Sequence, residues 1–244
     1  MEMNNKKENL LGVLIEAGIS SRRKLAAAIM QGQATVNGEV VTNLRCPVNI
    51  EKDSITIDGQ AVELKQKKYV YIMLNKPTGV LSTVSDERGR RTVSDFIPEK
   101  YRHLRLYPAG RLDRDATGLL LLTNDGELTH HLTHPSFENE KEYLVKVSGE
   151  VKAEELARLE RGVELEEGMT APARLSEVQD SLPFKYSITI YEGRKRQVRR
   201  MFAALGYRVL AIKRVRIGKL TLGDLKEGEV RELSRREVDL LMGD

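Results

Sequence analysis

Four leucines in succession, Leu119 to Leu122, stand between Gly118 and Thr123. A run with no polar position fits a strand buried on both faces better than a half-solvated one. A polar stretch bracketed by Gly110 and Gly118 delivers the chain into this strand, and Asn124-Asp125-Gly126 ends it in a turn. Further strands are expected over 69–74, 143–147 and 186–191. Helices are expected over 151–161 and 194–205, the second closed by Gly206. Strands and helices do not alternate regularly enough for a series of βαβ units. The expected class is therefore α+β, with a mixed, mainly antiparallel sheet flanked by helices.

The first part of the chain is a smaller unit of different pattern. Leu10, Leu11, Val13, Leu14 and Ala17 fall on one helical stripe that stops at Gly18. Ser20 or Ser21 can cap a second helix with Leu25, Ala28 and Ile29 on its apolar face and Gly32 as its stop. Two hairpins follow, 34–36 and 40–41 around Asn37-Gly38, then 55–57 and 61–62 around Asp58-Gly59. The basic stretch Lys65-Gln66-Lys67-Lys68 is the expected linker. A length of 244 residues accommodates two domains, here 1–64 and 69–244 joined by 65–68.

One cysteine, Cys46, excludes an intramolecular disulfide and a cysteine-based zinc site. The longest apolar runs fall far short of the ~20 residues that span a bilayer, and the chain opens on no signal-like leader. A soluble, cytoplasmic protein is expected. The net charge of +4 is mild, but its distribution is uneven. Residues 1–64 hold seven basic and eight acidic side chains, whereas 192–219 hold ten Lys or Arg against Glu192 alone. Positive charge concentrated in this way suits a polyanion, and a solvated helix face is the plainer alternative.

Two places carry chemistry on physical grounds. Asp113 and Asp115 lie in the loop that feeds the buried strand, where a rigid scaffold can fix a reactive carboxylate. They could equally bond loop N–H groups. On the 194–205 helix, ~100° per residue gathers Val198, Met201, Phe202 and Leu205 on one face. Arg196 and Arg200 then point to solvent, free for phosphates, while Lys195 and Arg199 flank the apolar arc. A flanking arginine can reach a partly buried carboxylate and keep it ionised. In the small unit, Arg22, Arg23 and Lys24 occupy the first turn of a helix, where the dipole disfavours cations. Together with free backbone N–H groups, they could hold a phosphate.

Residues 8–62 resemble an S4 RNA-binding domain. The likeness rests on Gly18-x-x-Ser21-Arg22-Arg23-Lys24, then Gly32-Gln-Ala-Thr-Val-Asn-Gly38 and Asp53-x-Ile-x-x-Asp58-Gly59. The larger part is similar to the RNA pseudouridine synthases that act on ribosomal RNA. That likeness is carried by Gly110-Arg111-Leu-Asp113-x-Asp-x-Thr-Gly-Leu-Leu-Leu-Leu-Thr-Asn-Asp-Gly126, with Ala116 where Thr or Ser is expected. Asn75-Lys76-Pro77-x-Gly79, Lys141-Glu142-Tyr143 and Glu192-Gly193-Arg194-x-Arg196-Gln197-Val198-Arg199-Arg200-Met201 extend it.

The resemblance implies an isomerisation that needs no cofactor or metal. The uracil C1′–N1 bond breaks, the base turns, and a C1′–C5 bond forms. Asp113 is implied as the catalytic carboxylate, Arg199 as its ion-pair partner, and Tyr143 as the ring that stacks on the flipped base. Implied RNA contacts are Arg22, Arg23, Lys24, Lys76, Arg111, Arg194, Arg196 and Arg200. Asp115 is expected to be structural. The implied partner is ribosomal RNA or a subunit precursor, met by a monomer with no membrane association. Large-subunit (23S) rRNA is preferred, because Arg214-Val-Arg216-Ile-Gly218 and His134-Pro135-Ser136 resemble that type. The alternatives are a small-subunit (16S) enzyme and a non-catalytic assembly factor. A metal-dependent hydrolase ranks last: HExxH is absent, and Pro135 follows His130, His131 and His134 directly, so these read as a loop cluster possible near RNA. The 85–91 stretch is a polar loop that could also meet RNA.

Overall fold

The computed structural model describes residues 8–63, 68–179 and 181–243. The chain divides into two compact units, 1–69 and 70–244. Of the expected linker, residues 65–67 lie outside the described residues. No helix among the described residues is long and apolar enough to cross a membrane.

In the smaller unit, Asn9 caps the Leu10–Glu16 helix by accepting from the Gly12 amide at 2.7 Å. Ser21 caps the Arg22–Met30 helix through the Lys24 amide. Four antiparallel strands follow in the spatial order Glu39–Val41, Ala34–Val36, Ile55–Ile57, Gln60–Ala61. Both hairpin turns, Asn37-Gly38 and Asp58-Gly59, have positive φ at each central residue. That twist matches paired strands, which is why Asn-Gly and Asp-Gly signal it. Leu10, Leu14, Leu25, Ile29, Ala34 and Val48 form the core.

The larger unit is built on a nine-stranded sheet. Its main path runs Arg174–Glu177, Tyr186–Ile190, Lys141–Val147, Val209–Ile217, Thr117–Thr123, Tyr71–Lys76, Val230–Glu232. Every pairing is antiparallel except that of Val209–Ile217 with Thr117–Thr123. The expected mixed, mainly antiparallel sheet is therefore present. The four leucines explain why it is covered on both faces. Leu120 and Leu122 join Ile72, Leu74, Val145, Ile188 and Phe202 on one side, under the Ala153–Arg161 and Gln197–Ala203 helices. Leu119 and Leu121 join Met73, Leu128, Leu132 and Leu241 on the other, under the Gly126–Thr133 and Arg235–Met242 helices.

Three expectations are corrected. The arginine-rich helix begins at Gln197, not 194, because Arg196 has left-handed backbone (φ 52°) and cannot continue a helix. The turn after the leucine strand continues into the Gly126–Thr133 helix, since Asp125 accepts from the Glu127 and Leu128 amides as an N-cap. His130 and His131 thus lie in its last turn, not in a loop, and His134 ends it. The central Val209–Ile217 strand was not foreseen, because Lys213, Arg214 and Arg216 break its apolar pattern.

Candidate active site

Asp113 sits at the head of a tight turn that Ala116 N–H closes onto its carbonyl at 3.1 Å. Ser82 fixes the preceding residue twice: its hydroxyl donates to Leu112 O at 2.8 Å and accepts from Leu112 N at 3.1 Å. Two buried cations hold the rest of the loop. Lys76 Nζ donates to the carbonyls of Pro77 (2.9 Å), Arg114 (3.4 Å) and Ala116 (2.8 Å). Arg214, on the central strand, donates from Nε to Leu119 O at 2.8 Å and reaches Arg111 O at 3.5 Å. The half-buried Asp113 side chain itself makes no hydrogen bond or ion pair among the described residues. The loop is rigid while the carboxylate stays unencumbered.

Expectation and geometry part company at the charge partner. Arg199 pairs with Asp115, not Asp113: its Nη2 lies 3.0 Å from Asp115 Oδ2 and donates to the Asp115 carbonyl at 3.2 Å. Its Nη1 donates to Val209 O at 2.8 Å, which anchors the guanidinium on the central strand and aims its other side at Asp115. Arg196, turned by its left-handed backbone, meets the same carboxylate at 3.3 Å. Burial presses the Asp115 carboxyl upward, but the opposing charge of Arg199 and the bond from Arg196 outweigh it and leave it below the usual carboxylate range.

The expected RNA contacts divide as well. Arg22, Arg23 and Lys24 are exposed on the smaller unit, and Arg111 is exposed on the larger. Lys76 is not: it is 0% exposed and its ammonium serves three carbonyls, so it is a loop anchor. Arg194 is also occupied, bonding Glu192 and the carbonyls of Gly168 and Met169. Arg200 pairs with Glu167, so it and Arg196 are engaged instead of free.

Tyr143 lies across from Arg214 in the antiparallel pair of Lys141–Val147 with Val209–Ile217. The ring is 9% exposed, with the Arg214 guanidinium carbon 6.0 Å from its centroid. In the sequence Arg214 marks only the segment that resembles the large-subunit type, and nothing there assigns it to the site. It is 3% exposed, has no carboxylate partner among the described residues, and keeps Nη2 without an acceptor. Two lysines share this cationic surrounding. Burial lowers Lys76 to a pKa of about 8 against the opposing influence of Asp115, Glu227 and Asp113. Burial, then the charge of Arg214, lowers Lys141 likewise to about 8.

Lys76 makes a measurable prediction. Its folded pKa of about 8 lies below the ordinary 10.5, so between those values the unfolded chain binds more protons. Stability should therefore rise with pH across that window, by up to ~3 kcal/mol from this group. Urea denaturation at pH 8 and pH 10 reads the gain, and Lys76→Met should lose much of it. An unchanged gain in the variant would remove Lys76 as a source.

Similarity to known proteins agrees with this geometry. The model of the family described as RNA pseudouridylate synthase matches residues 70–204, which include Lys76, Asp113, Tyr143 and Arg199. "Ribosomal large subunit pseudouridine synthase B" of Bacillus subtilis (strain 168) is 46% identical over 240 residues, covering 96% of this chain and 95% of that protein. The protein of the same name from Vibrio cholerae is 42% identical over 224 residues, covering 88% of this chain and 68% of its own. A solved structure described as a pseudouridylate synthase superposes with a TM-score of 0.68 at 35% identity, covering 96% of this chain and 99% of that one. With a family model over more than half its length and a relative of this identity along nearly all of it, the chain belongs to the RNA pseudouridylate synthase family.

Proposed function

We propose that this enzyme converts specific uridines of large-subunit (23S) ribosomal RNA to pseudouridine in the cytoplasm, acting as a monomer on free RNA or on a subunit precursor. The substrate follows the names of the Bacillus subtilis and Vibrio cholerae relatives. The observation that carries the chemistry is the free carboxylate of Asp113 on a loop pinned by Lys76, Ser82 and Arg214.

Breaking a glycosidic bond builds positive charge at C1′, and a fixed carboxylate stabilises it. Since the surrounding donors hold loop carbonyls, the oxygens of Asp113 remain available to the ribose. They can add to C1′ or take the 2′ proton; both routes release N1 and let the base turn until C5 faces C1′. C5 then bonds C1′, displacing the Asp113 carboxylate in the first route or adding to the glycal with return of the 2′ proton in the second. The C5 proton leaves and N1 ends protonated in its place, so nothing is gained or lost overall. Tyr143 forms one wall for the base, and its hydroxyl makes no bond among the described residues that would hinder a role in that last proton transfer. Arg199 acts on Asp113 through the loop, by holding Asp115. A uridine within a helix must first be extruded, at a cost of a few kcal/mol that stacking offsets.

The smaller unit, read as an S4 domain, holds structured RNA through Arg22, Arg23 and Lys24. Replacing all three by alanine should weaken RNA binding and reduce its salt slope by about 2–3, near 0.7–0.9 per phosphate contact. A titration with an unchanged slope would remove the triplet from the interface. The direct test of function is pseudouridine mapping of 23S and 16S rRNA after incubation with the purified protein. A new site in 23S rRNA is expected; one in 16S alone would reassign the subunit, and none in either would overturn the reading.

A further inference from the structure

Three of the four histidines in the chain, and one of its four phenylalanines, stand together within eight residues. His130 and His131 close the Gly126–Thr133 helix, His134 follows, and Phe137 ends the next short turn. Their rings form one cluster. The His131 and Phe137 centroids are 4.5 Å apart, those of His130 and His134 4.8 Å, and the His130 and Phe137 rings meet edge to face at 5.6 Å.

Beyond His134 capping the Pro135–Phe137 turn through the Ser136 amide, packing does not explain the cluster. Phe137 is 43% exposed and belongs to none of the three hydrophobic cores, and His130 and His134 are also exposed. No ion pair among the described residues involves these imidazoles, and no group of His, Cys, Asp and Glu there is placed to hold a metal ion. The cluster is nonetheless held in place: Asn139 Nδ2 donates to His131 O at 2.7 Å, and His134 Nδ1 lies 2.7 Å from Ser136 Oγ.

Its position is informative. The Thr133 methyl lies 3.4 Å from where a Cβ on Gly110 would stand, so the helix end abuts the start of the Asp113 loop. On the other flank, the Asn139 carbonyl accepts from Lys141 Nζ at 2.8 Å, two residues before Tyr143. The segment that carries the rings is thus joined to the start of the Asp113 loop at Thr133 and, through Asn139, to the strand that carries Tyr143.

We propose that His130, His134 and Phe137 form a stacking platform for an unpaired base of the substrate RNA, next to the extruded uridine. The platform rests on the reading of the substrate as RNA. Fixed, exposed rings suit this ligand because every base offers a π-face, and imidazole nitrogens can bond base edges without demanding one sequence. A second base held here would help keep the target strand open while the uridine occupies the pocket.

The test compares wild-type protein with Phe137→Ala, binding a short oligouridylate and an abasic oligoribonucleotide of equal length. Affinity for oligouridylate should fall about 5- to 100-fold in the variant. The loss should disappear on the abasic oligomer, which keeps the phosphates and lacks the bases. Phe137→Trp should restore binding, and turnover of an rRNA fragment by Phe137→Ala should show a raised KM with kcat little changed. Equal affinities for oligouridylate, or equal losses on both oligomers, would overturn the platform. Failure of wild-type protein to modify rRNA would instead count against the proposed function, which the binding comparison does not measure.

Discussion

Gly118→Ala is expected to destabilise the larger unit by about 3–5 kcal/mol and to abolish pseudouridine formation. Gly118 has a φ of +105°, outside the regions that alanine occupies comfortably. A Cβ there would also stand 2.2 Å from Arg214 O and 2.6 Å from Arg214 N. Those atoms are backbone of the parallel neighbour, paired in register with Gly118, and cannot turn aside as a side chain would. Accommodation requires the leucine strand and the central strand to separate at the point where Arg214 bonds Leu119 O and the Asp113 loop ends. Folding and chemistry should therefore fail together. Gly149→Ala is the control: its φ is +85° but nothing lies within 4 Å of the added carbon, so only conformational strain of about 1 kcal/mol applies. Urea denaturation of both variants separates the two terms. Similar small losses would mean that the strands part more easily than the 2.2 Å separation implies.

The same parallel contact shows which parts of the fold could be read from sequence. The four leucines declared a doubly covered strand because burial on both faces leaves no room for a polar position. Asn37-Gly38 and Asp58-Gly59 declared hairpins because their backbone preference is local. The Val209–Ile217 strand gave no comparable signal. Arg214 is buried through bonds to carbonyls far away in sequence, and a buried arginine looks in sequence like any surface one. Lys76 was misplaced on the RNA surface for the same reason. Helical periodicity placed Arg199 beside the apolar arc correctly, but it assumed a helix from 194. The left-handed Arg196 redirects two guanidinium groups onto Asp115. The capping pair Ser234 and Glu237 was a local signal for the Arg235–Met242 helix that the sequence reading did not use.

The two aspartates of the loop should separate cleanly on substitution. In Asp113→Asn the lost charge held no hydrogen bond or ion pair among the described residues and only a minor influence on Lys76, so stability should change by no more than ~0.5 kcal/mol and RNA should bind as before. Pseudouridine formation should nevertheless fall by at least ~10³-fold, since the group facing C1′ can no longer carry negative charge. Asp115→Asn should behave in the opposite way. It removes the ion pairs to Arg196 and Arg199, so stability should fall by about 1 kcal/mol, a modest figure because the carboxylate is half-exposed. Its folded pKa lies below the unfolded value, so this stabilisation is present at neutral pH and is lost as pH falls through the folded value. The wild-type acid limb should accordingly be steeper than that of Asp115→Asn. Activity of Asp115→Asn should drop about 10- to 100-fold through a displaced loop, and a loop displaced by ~1 Å is enough for that. Should Asp115→Asn prove inert while Asp113→Asn still turns over, the carboxylate held by Arg199 is the one that meets the ribose, and the roles of the two residues are exchanged.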